Sequence, residues 1–162
     1  MNLLPATANP DHELLSAFVA TEYRVLTEPA IHLRIGDVEP QLDGYSGPGG
    51  WIIITADNPA ASIQSEPENR AARARLESRV QTIQTGAGVK TVHRATALDR
   101  SRRWPDEQGW LFGFDQPASI HALAREFNQL GVVIGAPDRP AMLWLYGDWP
   151  ETLPEHVLRV GQ

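Results

Sequence analysis

WIIITADNPAASIQSEPENRAARARLESRV, residues 51–80, is the stretch whose reading decides the fold. Trp51 to Thr55 is a short apolar run rich in β-branched residues, ending at Asp-Asn-Pro, and such a run reads as a buried strand. Pro59 cannot continue a ladder and disfavours the α region for the residue before it, so Asn58 is expected in an extended or turn conformation. Ser65-Glu66-Pro67-Glu68 has the S-x-x-E spacing of a capping box, with proline in the first turn, so a helix is predicted to start there. Ala72, Leu76, Val80 and Ile83 form its apolar stripe. Arg70, Arg75 and Arg79 lie off that stripe, whereas Asn69 and Arg73 are expected to point beneath the helix towards the Asn58 elbow.

Outward from this unit, Asp11 is read as the cap of a helix to Ala20, with Leu14, Leu15, Phe18 and Val19 on one face. Tyr23–Leu26 and Ile31–Ile35 read as a β-hairpin closed by Thr27-Glu28-Pro29-Ala30. Residues 41–50 contain GPGG but precede a strand and hold no Lys, so they read as a mobile connector and not a phosphate cradle. Downstream come a Gly86-Ala87-Gly88 cap, a strand from Lys90 to Ala97, a charged loop over 98–108 and the strand GWLFGF. A helix carrying Ile120, Leu123, Ala124 and Phe127 follows, then the strands VVIGA and AMLWLY.

The order strand, helix, strand, strand, helix, strand is the split βαβ pattern of a ferredoxin-like α+β sandwich, here with an added N-terminal helix and β-hairpin and an extra C-terminal strand. A mainly antiparallel sheet of five to seven strands with two helices on one face is expected. The alternative is a mixed α/β sheet whose other face is covered by the N-terminal helix. One domain over residues 1–162 suffices, with 1–10 and 150–162 expected to be weakly ordered.

The chain has 162 residues, 42% of them hydrophobic, enough to bury roughly 70% of the unfolded surface. The absence of cysteine excludes thiol catalysis, iron–sulfur clusters and thiolate zinc sites. Five scattered histidines show no metal spacing, so no metal and no cofactor are expected. The N-terminal residues lack a basic start and an apolar core, and no apolar run approaches the roughly 20 residues of a membrane span. A soluble, cytoplasmic protein is the expectation. A net charge of −6 disfavours nucleic acid and anionic membranes as partners, and the Arg100, Arg102, Arg103 cluster is expected to be solvated.

The motifs ITADNP, ENRAARARLE, WPDEQGWLFGF and ALAREFNQLGVVIG, in this order and spacing, resemble a bacterial family known only as domain-of-unknown-function family 3293. The resemblance covers about Tyr23 to Gly135, and the matching positions are Thr55, Asn58, Pro59, Asn69, Arg73, Trp104, Glu107, Arg125, Phe127 and Gln129. It implies no activity. Leu130-Gly131 departs from the family pattern. Combined with the helix-face reading, it nominates Thr55, Asn58, Asn69, Arg73, Glu107 and Gln129 as a ligand-binding set.

Whether the protein is an enzyme stays open. The leading expectation is a small-ligand or regulatory domain binding an anionic metabolite, since Arg73 offers a fixed cationic fork beside a strand end and a helix N-terminus. The alternatives are a small enzyme using Glu107 or Asp57 as acid or base, and an interaction module or homodimer using Trp144, Tyr146 and Trp149. An Arg73–carboxylate bridge that only fastens two loops is the competing structural reading of the set.

Overall fold

The computed structural model describes residues 10–86 and 92–160. The expected weak order of residues 1–9, the Ala87-Gly88 turn and the start of a strand at Lys90 lie outside these residues. The elements are α1 (Pro10–Ala20), β1 (Glu22–Val25), β2 (Ile31–Leu33), β3 (Gly50–Thr55), α2 (Glu66–Gly86), β4 (His93–Leu98), β5 (Glu107–Phe114), α3 (Pro117–Glu126), β6 (Gly131–Gly135), β7 (Met142–Leu145) and β8 (Val157–Arg159). Two 3-10 turns, Pro40–Tyr45 and Pro59–Ala61, complete them.

All eight strands form one sheet in the order β2-β1-β4-β5-β3-β6-β7-β8, antiparallel throughout except for the β7–β8 pair. The fold is thus α+β, with one strand more than the largest sheet expected. That strand comes from the tail, which was expected to be weakly ordered. Val157 is buried against Leu143, Leu145 and Trp149, and this apolar contact holds the segment as an edge strand.

The period-2 alternation of β3 sorts its side chains to two faces. Ile52 and Ile54 meet Leu76 and Val80 of α2 and Ile120 and Leu123 of α3, so α2 and α3 cover one face. Trp51 and Ile53 point to the other face, with Tyr23, Val25, Leu111 and Val133. Each fully buried aliphatic or aromatic side chain here contributes about 1.5–3 kcal/mol. The second face is concave. The sheet curls until Gly36 donates to the Ala141 carbonyl at 2.8 Å and Ala141 donates to Asp37 at 2.8 Å, tying the chain after β2 to the chain before β7. Helix α1 packs Leu15, Phe18 and Val19 on the β7–β8 end of this concave side. The helix on the other face, part of the alternative expectation, is therefore present on a largely antiparallel sheet.

Three local expectations are corrected. Asp11 lies inside α1, which begins one residue earlier at Pro10. The GPGG region is a packed element: Leu42 is fully buried in the 3-10 turn, and Gly47 and Gly50 bond each other and lie against Phe114. A Cβ on Gly50, at φ +132, would collide with the Gly135 carbonyl, so the close approach of two backbones requires glycine there. Asn58 is left-handed (φ 48, ψ 60), and four hydrogen bonds to its backbone and side chain outweigh the preference imposed by Pro59.

Candidate functional site

The capping box forms as its spacing predicts: Ser65 N–H donates to Glu68 at 2.9 Å, and Glu68 N–H lies 3.3 Å from Ser65 Oγ. Helix α2 therefore starts at a fixed distance from the end of β3, and the elbow between them is held by side chains. Asn69 Oδ1 accepts the Asn58 N–H at 2.9 Å, and Asn69 Nδ2 donates to Asn58 Oδ1 at 3.1 Å. Arg73 grips Asp57 with two parallel bonds, Nε to Oδ1 at 2.7 Å and Nη2 to Oδ2 at 2.9 Å, and its Nη1 donates to Glu66 at 3.0 Å. These carboxylates hold the guanidinium pKa above its ordinary value, the Asp57 hydrogen bonds contributing most. The bridge also reaches β5, because Asp57 Oδ2 accepts the Gln108 N–H at 3.0 Å.

Asn58 carries the elbow over the end of the sheet to the concave side. Its Nδ2 donates to Glu107 Oε2 at 2.9 Å, Thr55 Oγ1 lies 3.5 Å from Glu107 Oε1 and 3.2 Å from Gln129 Oε1, and the Trp104 side chain donates to Glu107. Gln129 Nε2 donates to the Asp57 carbonyl at 3.2 Å. Thr55, Glu107 and Gln129 line a cavity of about 40 Å³, whose wall also includes Phe18, Tyr23 and Trp104. The pairings Tyr23 with Ala97 and Ala97 with Glu107 put Tyr23 and Glu107 on the same face, two strands apart.

Of the six nominated residues, Thr55, Glu107 and Gln129 line this cavity, and Asn58 is tied to it through its bond to Glu107. Asn69 and Arg73 do not enter its wall; they brace the elbow from the helix side of the sheet. Arg73 instead borders a separate open pocket of about 450 Å³ between α2 and the β4–β5 strands, with Arg70, Glu77, Arg94 and Trp110, and its cationic fork is engaged by Asp57 and Glu66. The α2 N-terminus is occupied by its own capping box. Tyr23 and Phe18 were missed as site residues. The inward parity of Tyr23 with Val25 on β1 was the available signal, but nothing local to β1 reports that it faces Glu107 across two strands.

Burial raises the Glu107 carboxyl to about 7, opposed by the Asn58 bond and reinforced by the Asp57 carboxylate, while Trp104 and Thr55 lower it. The Tyr23 phenol is likewise pushed well above its ordinary value, by burial first and then by Glu107. Asp99, also in the cavity wall, behaves in the opposite sense. Burial resists its ionisation, but bonds from Ser101, Trp104 and Arg103 outweigh that and hold its pKa low. Those bonds fix the loop that brings Trp104 over the cavity.

Residues 54–132 match the model of a family described as a protein of unknown function, DUF3293. This match supports the resemblance to that family over the segment. No curated protein and no solved structure matches it. The DUF3293 segment holds Thr55, Asn58, Asn69, Arg73, Trp104, Glu107 and Gln129, whereas Phe18, Tyr23 and Leu143 of the cavity wall come from outside it.

Elsewhere, the protein shows no cluster of three metal-ligating side chains and no helix long and apolar enough to cross a membrane, among the described residues. The three aromatic residues expected to form one interaction patch are divided. Trp149 is buried with Leu143 and Leu145 on one side of the sheet, while Tyr146 and Trp144 pack on the other, where Tyr146 lies 2.9 Å from His121 Nδ1. An open apolar groove of about 540 Å³ runs beside Trp144, Met142 and Leu158.

Proposed function

We propose that this protein is a small-molecule-binding domain whose site is the concave-face cavity over Glu107. The carrying observation is a carboxyl group lining a cavity with no positive partner among the described residues, held in place by Asn58 and Trp104 and raised to about 7. Uncompensated buried carboxyls are costly to a fold, and they concentrate where a ligand or a reaction supplies the missing partner. Thr55 and Gln129 shape the polar wall, Asn58 holds Glu107 in place, and Asn69 and Arg73 act by positioning the elbow.

The ferredoxin-like reading of the core agrees with the order β4-β5-β3-β6 and with the connection β3-α2-β4-β5-α3-β6. The added hairpin and α1 then form the second wall of the site. The anionic-metabolite expectation loses its main support because Arg73 is bonded to Asp57 and Glu66. An acid–base enzyme is the second reading, favoured by a carboxyl poised near neutrality.

A thermal-shift screen of small metabolites on the wild type and Glu107→Gln tests the proposal. A ligand at 100 times its dissociation constant stabilises by roughly 2.7 kcal/mol. A shift in the wild type that is lost in Glu107→Gln supports the site. Equal shifts in both proteins, or none in the wild type, refute it.

A further inference from the structure

The wall of the Glu107 cavity contains three aromatic rings, Phe18, Tyr23 and Trp104, and two acidic side chains, Asp99 and Glu107, but no Arg, Lys or His among the described residues. This is the reverse of an anion site. The Asp99 oxygens are taken by Ser101 and by the backbone N–H groups of Arg103 and Trp104, so Asp99 supplies negative field and not a contact. Glu107 receives donors from neutral groups only, Asn58 among them. The nearest guanidinium of the elbow, Arg73, is bound on the other side by Asp57 and Glu66.

We propose that the cavity receives an ammonium head group, of a primary or methylated amine, seated on the Glu107 carboxylate and enclosed by the rings of Phe18, Tyr23 and Trp104. This rests on the reading of the cavity as a binding site, and names its ligand class. Ring faces attract a desolvated cation through their quadrupole, and the carboxylate supplies the charge and a hydrogen-bond acceptor. Gln129 Oε1, close to Thr55, is a further acceptor in the wall. A volume of about 40 Å³ admits a head group and no more, so the rest of the molecule must leave past Trp104 and Pro105. Pro105 is exposed and Trp104 half-buried, which makes that side the exit. A cation would also lower the cost of an ionised Glu107, the penalty that holds its pKa high.

The test titrates the full chain with methylammonium chloride against sodium chloride at equal ionic strength, with acetate and acetamide as anionic and neutral probes of similar size. The Trp104 indole N–H resonance reports cavity occupancy. Methylammonium alone is expected to move it, with an apparent affinity that rises about tenfold per pH unit below 7 and flattens above, because the bound form needs ionised Glu107. Glu107→Gln, which keeps the shape and hydrogen-bonding capacity of the side chain, is expected to abolish the response. Movement by acetate or acetamide without methylammonium overturns the ammonium assignment and leaves the cavity a binding site. No movement by any of the three overturns both readings. A methylammonium response that persists in Glu107→Gln removes the carboxylate from the proposal.

Discussion

Asn58 and Asn69 are clasped amide to backbone and amide to amide, at 2.9 and 3.1 Å, and this clasp sets where the rest of the site stands. Asn69 satisfies the N–H of a residue in left-handed conformation, and the freed Asn58 Nδ2 can then reach Glu107. A helix residue eleven positions downstream thereby orients a carboxyl on the far face of the sheet.

Arg73→Ala is expected to destabilise the protein by about 2–4 kcal/mol, because it leaves Asp57, 1% exposed, with its charge unpaired. Arg75→Ala is the control. Arg75 is exposed and lies 5.9 Å from the Phe127 ring centroid, so its loss should cost well under that amount. Urea denaturation midpoints of the two variants compare them directly, and equal midpoints would refute the buried-bridge reading.

Ala60 and Ala61 are both left-handed, at φ 53 and φ 56, which costs an alanine about 1 kcal/mol each. Replacing either by glycine relieves that strain but adds freedom to the unfolded chain, worth about 0.5 kcal/mol in the opposite direction. Ala61→Gly should therefore stabilise by about 0.5 kcal/mol. Ala60→Gly should do the same, since the Ala60 N–H bond to the Asn128 carbonyl is a backbone bond that survives the change. A fall in thermal midpoint for both variants contradicts this.

Gly135→Ala places a methyl group into the Trp51 indole, which is 2% exposed and has no room to retreat. Overpacking of this kind costs about 1–3 kcal/mol. Gly44→Ala, where a Cβ meets nothing within 4 Å, should be close to neutral. Paired chemical denaturation curves distinguish the two sites.

The capping box, the Leu76–Val80 stripe, the α3 stripe and the strand at 51–55 were legible because each is local: spacing over a few residues determines which atoms meet. The elbow was half legible. Its residues were identifiable, yet their division between the two faces of the sheet depends on Asn58 adopting a left-handed conformation that its proline neighbour disfavours. Tyr23 could not be placed beside Glu107 from sequence, because that proximity arises only when β1 pairs with β4 and β4 with β5. The tail strand was missed for a similar reason. Val157 is one apolar residue among polar neighbours, and its partners Leu143 and Leu145 are contributed by β7.

Glu107 gives the protein a pH dependence opposite to that of a salt-bridged acid. Its folded-state pKa, about 7, exceeds the ordinary 4.5, so between those values the folded chain holds a proton that the unfolded chain has released. Stability must then fall as pH rises from 4.5 to about 7, and level off above. At about 1.4 kcal/mol per pH unit, the full difference is on the order of 3 kcal/mol, an upper bound because the carboxyl is half-buried by surface area. Glu107→Gln removes the titration while retaining an acceptor for the Asn58 amide. The variant should match the wild type near pH 5 and exceed it by about 2–3 kcal/mol at pH 8. Unfolding free energies of both proteins across this range, in a buffer free of amines, provide the measurement. A difference that does not change with pH would mean that Glu107 titrates normally, and would withdraw the main physical reason for regarding the cavity as a site.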